Sequence, residues 1–136
     1  MARILIIEDN HANLKLTSLL LCNVGHAVLC ASDAETGLLM ARDEQPDLIL
    51  MDIQLPGMDG LAATALLKQN AETASIPIIA LTAMAMKADR EKTRIAGCDA
   101  YIAKPLRYHE LYAAIDSLLR KATHAADDAV RVEPQP

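Results

Sequence analysis

Short apolar runs recur along the chain, and each is separated from the next by a longer segment of helical character. Five such runs cover residues 3–7, 26–31, 47–51, 76–81 and 100–103. They are apolar on consecutive residues rather than alternate ones, which is typical of a parallel strand covered on both faces. The pattern predicts a doubly wound α/β fold, in which a five-stranded parallel sheet with right-handed crossovers carries helices on both sides.

The segments between and after these runs predict five helices, over residues 12–24, 34–45, 61–69, 85–96 and 107–121. The last helix carries Leu111, Ile115 and Leu118 at the spacing of one buried face. The fourth has little apolar surface, which indicates either a solvated face or an element that faces a partner. The apolar pattern ends after the fifth predicted helix, at residue 121. Residues 1–121 are therefore predicted to form the domain and residues 122–136 a flexible tail.

Local signals mark two of the predicted boundaries. Gly25 stands where a left-handed residue is expected to end the first helix. Ser32 and Glu35 have the spacing of a capping box, which predicts that Ser32 opens the second helix.

Composition limits the kind of protein. A chain of 136 residues, 52% hydrophobic and 23% charged, fits one globular domain. Its net charge of -5 argues against general nucleic-acid binding, and the N-terminal apolar run is too short for a signal peptide or a membrane span. Cys22, Cys30 and Cys98 form no CxxC pair, so we expect buried thiols in a reducing cytoplasm.

Polar side chains follow the ends of four predicted strands. Glu8 and Asp9 follow the first strand, Asp52 the third, Thr82 the fourth and Lys104 the fifth. Each alone has an ordinary structural explanation, such as a turn cap or a surface lysine. Because ligands of open α/β sheets bind outside the carboxyl ends of the strands, the five side chains together predict one site.

The chemistry of this set points to a metal and a phosphoryl group. Three converging carboxylates repel one another unless a cation joins them. Oxygen ligands favour Mg²⁺ over Zn²⁺, with Mn²⁺ as an alternative ion. Asp52 is the candidate nucleophile for an acyl phosphate, while Lys104 would offer its charge and Thr82 a hydrogen bond to the phosphoryl oxygens.

In these residues the chain resembles the receiver domains of two-component response regulators, the CheY-like superfamily. The resemblance covers residues 2–121, and its motifs lie at residues 8–10, 50–60, 81–83 and 104–105. Residues 82–87 and 97–105 are most similar to single-domain receivers of the DivK type.

The resemblance implies a flavodoxin-like strand order of 2-1-3-4-5. It also implies that Asp52 accepts a phosphoryl group from a histidine kinase or a histidine phosphotransfer protein. Mg²⁺ would be held by Asp9, Asp52 and the backbone carbonyl of Gln54, with Glu8 contacting it through water. A cis peptide bond is expected before Pro105, although few X-Pro bonds are cis.

Phosphorylation of Asp52 would add negative charge and acceptor oxygens, towards which Thr82 and the backbone N–H of Ala83 can move. The resemblance implies that the Tyr101 ring then turns inward; the alternative is an ordinary half-buried tyrosine on an edge strand. The changed surface would be the fourth helix, the last strand and the last helix, which would contact a downstream protein rather than nucleic acid or membrane. Met84 is expected to shield the acyl phosphate from water.

Other functions remain open at this stage. An aspartate-nucleophile phosphohydrolase would carry a second Asp as general acid where Gln54 stands. A flavodoxin-like cofactor binder would not place Glu8 and Asp9 beside a phosphate. A receiver from a hybrid kinase would differ only in context, and Met1 beside the first strand favours a free-standing protein. We expect a signalling receiver rather than an enzyme, with self-phosphorylation and slow self-dephosphorylation only.

Overall fold

The sheet is the centre of the molecule. The structure is a computed structural model that describes residues 2–83 and 87–132. Five parallel strands lie in the order β2-β1-β3-β4-β5. They are β1 (Arg3–Ile7), β2 (Ala27–Ala31), β3 (Leu48–Asp52), β4 (Ile78–Thr82) and β5 (Ala100–Ala103). This arrangement confirms the predicted doubly wound α/β fold and the strand order that the resemblance implies.

Five helices alternate with the strands. They are α1 (His11–Asn23), α2 (Ala34–Glu44), α3 (Gly60–Gln69), α4 (Lys87–Ala96) and α5 (Tyr108–Val132). Asn10, Asp33 and Asp59 cap the first three, each through a side-chain oxygen that accepts from a backbone N–H. Among the described residues, no helix is long and apolar enough to span a bilayer.

Two boundary signals have different outcomes. Gly25 has a φ of 91°, as a residue just after a helix end requires. The predicted capping box at Ser32 is wrong, because Asp33 is the N-cap residue and its carboxylate accepts from Thr36 N at 2.7 Å. A carboxylate is as good an N-cap group as a hydroxyl and also favours the positive end of the helix.

The last helix is longer than predicted. It continues beyond residue 121 to Val132, into the segment 122–136 that is predicted to be a flexible tail. Alanine, the strongest helix former, recurs in this segment, and no Gly or Pro interrupts it before Pro134. Apolar residues no longer recur at helical spacing in this segment, but its residues still have a high helix propensity. Residues 133–136 lie outside the described part of the chain.

The core is aliphatic and lies on both faces of the sheet. Ile4 and Ile6 pack with Leu111 and Ile115 of α5 on one face. Residues of the opposite pleat, such as Leu5, pack on the other face under α2 and α3. The predicted buried face of α5 is therefore correct, since Leu111, Ile115 and Leu118 are all buried. The prediction for the cysteines is wrong for Cys22 and Cys30, which are exposed, whereas Cys98 is half-buried.

Candidate functional site

Three strand ends bring opposite charges together at the carboxyl edge of the sheet. The Lys104 Nζ atom lies 3.1 Å from Oε1 of Glu8 and 3.4 Å from Oδ2 of Asp52. The Lys104 backbone N–H also donates to the Thr82 carbonyl at 2.7 Å, which holds the segment after β5 beside the end of β4. The sheet topology thus places residues distant in the sequence around one point.

The two carboxylates next to Lys104 are buried. Glu8 is 2% exposed and Asp52 is 3% exposed. Burial raises the pKa of Glu8, as do the hydrogen bond and the negative charge of Asp52, and Lys104 only partly opposes this. Burial alone would lower the pKa of Lys104, but its hydrogen bond to Glu8 and the charges of both carboxylates raise it. The lysine is therefore a permanent cation in this pocket.

The backbone around Asp52 is closely fitted. Oδ1 of Asp52 accepts from the backbone N–H of Gln54 at 3.0 Å. The Gly60 N–H donates to the Ile53 carbonyl at 2.9 Å, so the first residue of α3 touches the end of β3. A Cβ atom on Gly60 would collide with the carbonyl oxygen of Asp52 and lie 2.7 Å from Cα of Ile53. Only glycine allows this approach, which sequence reasoning did not identify.

The acidic residues meet the first requirement of a metal site. Carboxylate oxygens of Glu8, Asp9 and Asp52 all lie within 4.8 Å of one another. Asp9 is exposed and the other two are buried, so the cluster opens to solvent on one side. An all-oxygen donor set that leaves room for water and phosphate suits Mg²⁺. The residues present therefore fit this ion.

The other residues predicted for the site lie around this cluster. Thr82 is buried at the end of β4, and exposed Ala83 follows it directly. Thr82 and Gln54 line a cavity of about 240 Å³ that also reaches Lys92 of α4. The Lys104–Pro105 peptide bond is cis, the isomer that the resemblance implies. Met84 lies outside the described residues.

Tyr101 is half-buried on the edge strand β5. This position is compatible with a ring that turns inward on phosphorylation and with an ordinary edge-strand tyrosine. The Arg90 guanidinium carbon lies 5.4 Å from the centroid of its ring. This partner was not predicted, since the fourth helix offered no signal beyond its general charge.

A second cavity, of about 440 Å³, opens beside the pocket between α1 and the segment after β5. Its lining includes Glu8 and Lys104 together with Leu16, Thr17 and Leu106. Leu16 is exposed on α1, while Thr17 is buried. Sequence reasoning did not identify these lining residues; the available signal was the scarcity of charge on the leucine-rich first helix.

A 2-1-3-4-5 sheet with an acidic pocket and a lysine at its carboxyl edge defines the receiver class. The family model described as "Response regulator receiver domain" matches residues 4–116, and the chain belongs to this family. It is thus a receiver domain of two-component signalling.

Individual relatives narrow the comparison. The polar-differentiation response regulator DivK of Brucella anthropi is 44% identical over 119 residues, which cover 88% of this chain and 97% of DivK. The chain is also similar to the receiver domain of a Pseudomonas aeruginosa sensor histidine kinase, with 35% identity and a TM-score of 0.81 over 87% of this chain and 97% of that one. The crystal structure of that receiver domain holds a magnesium ion in its active-site cleft. A CheY-like receiver from Methanospirillum hungatei is 30% identical with a TM-score of 0.85, over 92% and 98% of the two chains. The chain is DivK-like, as its motifs predict.

Proposed function

We propose that this protein is a phosphoacceptor response regulator whose Asp52 takes a phosphoryl group from a histidine kinase or a histidine phosphotransfer protein in the cytoplasm. The observation that supports this most strongly is the position of Asp52: a buried carboxylate, 3.4 Å from a lysine ammonium, within a cluster of three acids. A buried acid placed beside two further acids is costly for stability even with a lysine next to it, and such costs are typical of functional sites.

The contacts of Asp52 support a direct phosphoryl transfer to its carboxylate. One carboxylate oxygen attacks phosphorus, the bond from phosphorus to the donor's imidazole nitrogen breaks, and the histidine leaves as a neutral ring after taking up a proton. The N–H of Gln54 holds one carboxylate oxygen and so fixes the orientation of the group. The ammonium of Lys104, adjacent to the other oxygen, would donate to the incoming phosphoryl oxygens.

Mg²⁺ completes the proposed site. Asp9, Asp52 and the backbone carbonyl of Gln54 would hold the ion, and Glu8 would contact it through water. Bound there, the ion neutralises negative charge on the carboxylates and on the phosphoryl group.

Output would pass from the pocket to the face of α4, β5 and α5. Phosphorylated Asp52 carries acceptor oxygens towards which the Thr82 hydroxyl and the Ala83 N–H can move. Thr82 lies opposite Ala103 in the β4–β5 register, and Tyr101 lies on the same strand β5. Movement at Thr82 is thus adjacent to the strand that carries Tyr101. A downstream protein that binds this face would read the state of Asp52.

The same site supports a receiver rather than a phosphohydrolase. Gln54 occupies the position at which an aspartate phosphohydrolase places its general acid, and an amide cannot protonate a leaving group. We therefore propose that the protein's own chemistry is limited to Mg²⁺-dependent self-phosphorylation and slow loss of phosphate.

Acceptance of phosphate by Asp52 can be tested with two matched variants. Labelling by acetyl phosphate with Mg²⁺, and by a panel of histidine kinases, should be lost in Asp52→Asn. It should persist in Asp59→Asn, which removes a charge from the same loop while keeping a group that can cap α3. The proposal is contradicted if Asp52→Asn has the native fold and is still labelled. It is also contradicted if both variants lose labelling.

A further inference from the structure

Arg90 and Tyr101 join α4 to the edge strand β5. The guanidinium carbon of Arg90 lies 5.4 Å from the ring centroid of Tyr101, within the range of a cation–π contact. The ring is half-buried and Arg90 is exposed, so the guanidinium covers the ring from the solvent side.

The polar character of α4 makes this contact important. Thr93 is buried, but its hydroxyl donates to the Arg90 carbonyl within the same helix. Arg94 pairs with Glu91, again within the helix. Ile95, the large apolar side chain near the end of α4, is 73% exposed. The polar groups of Thr93 and Arg94 therefore bond within α4, whereas Arg90 reaches across to β5.

We propose that Arg90 is a positioning residue that holds the Tyr101 ring in its half-buried place and so couples α4 to the phosphorylation pocket. The inference rests on the proposed function, in which the ring turns inward when Asp52 is phosphorylated. An inward ring would leave the exposed guanidinium behind, and the contact would exist in one state only. A contact made in one state only shifts the equilibrium towards that state by the free energy of the contact.

The contact is worth about a two- to fivefold change in that equilibrium, the range of exposed cation–π pairs. Coupling of this kind is reciprocal. A partner that draws α4 away from β5 would therefore favour the inward ring and the phosphorylated protein by the same factor.

The environment of Tyr101 can be followed by ¹⁹F NMR on the full chain labelled with 3-fluorotyrosine. The chain has three tyrosines, so loss of one signal in Tyr101→Phe assigns the resonance. Without a phosphodonor, Arg90→Ala should move the Tyr101 signal towards its position in protein phosphorylated by acetyl phosphate with Mg²⁺. At a subsaturating donor concentration, the ratio of switched to unswitched protein should rise about two- to fivefold.

Two variants separate this role from a general effect of losing charge. Arg90→Lys retains a cation and should restore part of the wild-type signal. Arg94→Ala removes an arginine of the same helix that pairs with Glu91, and should leave the Tyr101 signal in place. An unchanged Tyr101 signal in Arg90→Ala, or an equal change in Arg94→Ala, overturns the proposal.

The two proposals can fail separately. If acetyl phosphate labels no residue and moves no signal in the wild type, the proposed function is wrong. The comparison of Arg90→Ala with Arg94→Ala in phosphate-free protein still decides whether Arg90 positions the ring.

Discussion

The ammonium group of Lys104 lies 3.1 Å from the carboxylate of Glu8, and this ion pair connects the first strand of the sheet to the segment after the last. The lysine compensates buried negative charge that would otherwise be unpaired. A second cation in the pocket would relieve the same repulsion, so the ionisation of Glu8 and the binding of a metal ion are linked.

Removing the charge of Glu8 should stabilise the Mg²⁺-free protein. Because burial and Asp52 raise the pKa of Glu8 above its usual 4.5, the folded protein binds this proton more readily than the unfolded chain. Stability is therefore lost as the pH rises from 4.5 through the raised folded pKa, and regained as the pH falls. In Glu8→Gln, the amide oxygen can still accept from Lys104, but this pH dependence disappears.

Thermal unfolding in EDTA across this pH interval measures the effect. Glu8→Gln should melt above the wild type at neutral pH, with the gap closing towards pH 4.5. Glu110→Gln, an exposed carboxylate change on α5, should follow the wild-type profile. If the melting temperatures of wild type and Glu8→Gln change in parallel across this pH interval, Glu8 binds a proton no more readily in the folded protein than in the unfolded chain, and the prediction is wrong.

Replacing Lys104 by methionine should separate phosphorylation from metal binding. Methionine keeps the apolar stem but cannot donate to phosphoryl oxygens, so labelling of Asp52 by acetyl phosphate should slow by about a hundredfold. Mg²⁺ binding should persist, because its proposed ligands are carboxylate and carbonyl oxygens. The variant should also be less stable, since Glu8 and Asp52 lose their cation.

Lys68→Met provides a matched control for this change. The Lys68 side chain is 21% exposed, against 23% for Lys104, and it pairs with Asp99 away from the pocket. Its loss should lower stability without changing the labelling rate. Equal slowing in both variants would trace the effect to stability rather than to the charge of Lys104.

The close approach of Gly60 to β3 predicts a specific defect in Gly60→Ala. The added Cβ would meet the backbone of Asp52 and Ile53, which cannot rotate away. The β3–α3 loop must then shift, lowering stability by about 1–3 kcal/mol and weakening Mg²⁺ binding through the displaced Asp52 and Gln54.

A second glycine substitution tests whether the position matters. In Gly37→Ala the new Cβ lies 2.8 Å from Cγ1 of Ile7, a side-chain atom that can move. This variant should lose stability but keep its Mg²⁺ affinity, measured by calorimetry. If Gly60→Ala binds Mg²⁺ like Gly37→Ala, Gly60 does not position the acceptor.

Much of the fold could be predicted because parallel strands buried on both faces leave a simple pattern. The strands at residues 3–7 and 100–103 lie where their apolar runs do. Once the sheet is parallel, topology alone brings Glu8, Asp52 and Lys104 to one edge. The end of α5 was missed because the extension rests on alanine propensity rather than on an apolar stripe.

The features that could not be predicted depend on distances between elements. Nothing in the sequence around Arg90 indicates that its guanidinium lies over Tyr101. Likewise, a glycine in a loop motif signals a turn as readily as the close backbone contact that Gly60 makes. Cys22 and Cys30 are exposed because of how α1 packs on the sheet and where β2 lies within it, and residue type alone determines neither.

The three thiols should react at different rates with iodoacetamide. Burial raises the pKa of Cys98, as does the negative charge of Asp99, while its hydrogen bond to Thr64 and the charge of Lys68 only partly oppose this. Because the thiolate is the reactive form, Cys98 should alkylate more slowly than the exposed Cys22 and Cys30 near pH 8, and should gain reactivity as the pH rises. Peptide mass spectrometry on a time course measures each site, and the three rates should converge in denaturant. Equal rates in the native protein would mean that α3 and the segment before β5 do not protect the Cys98 thiol.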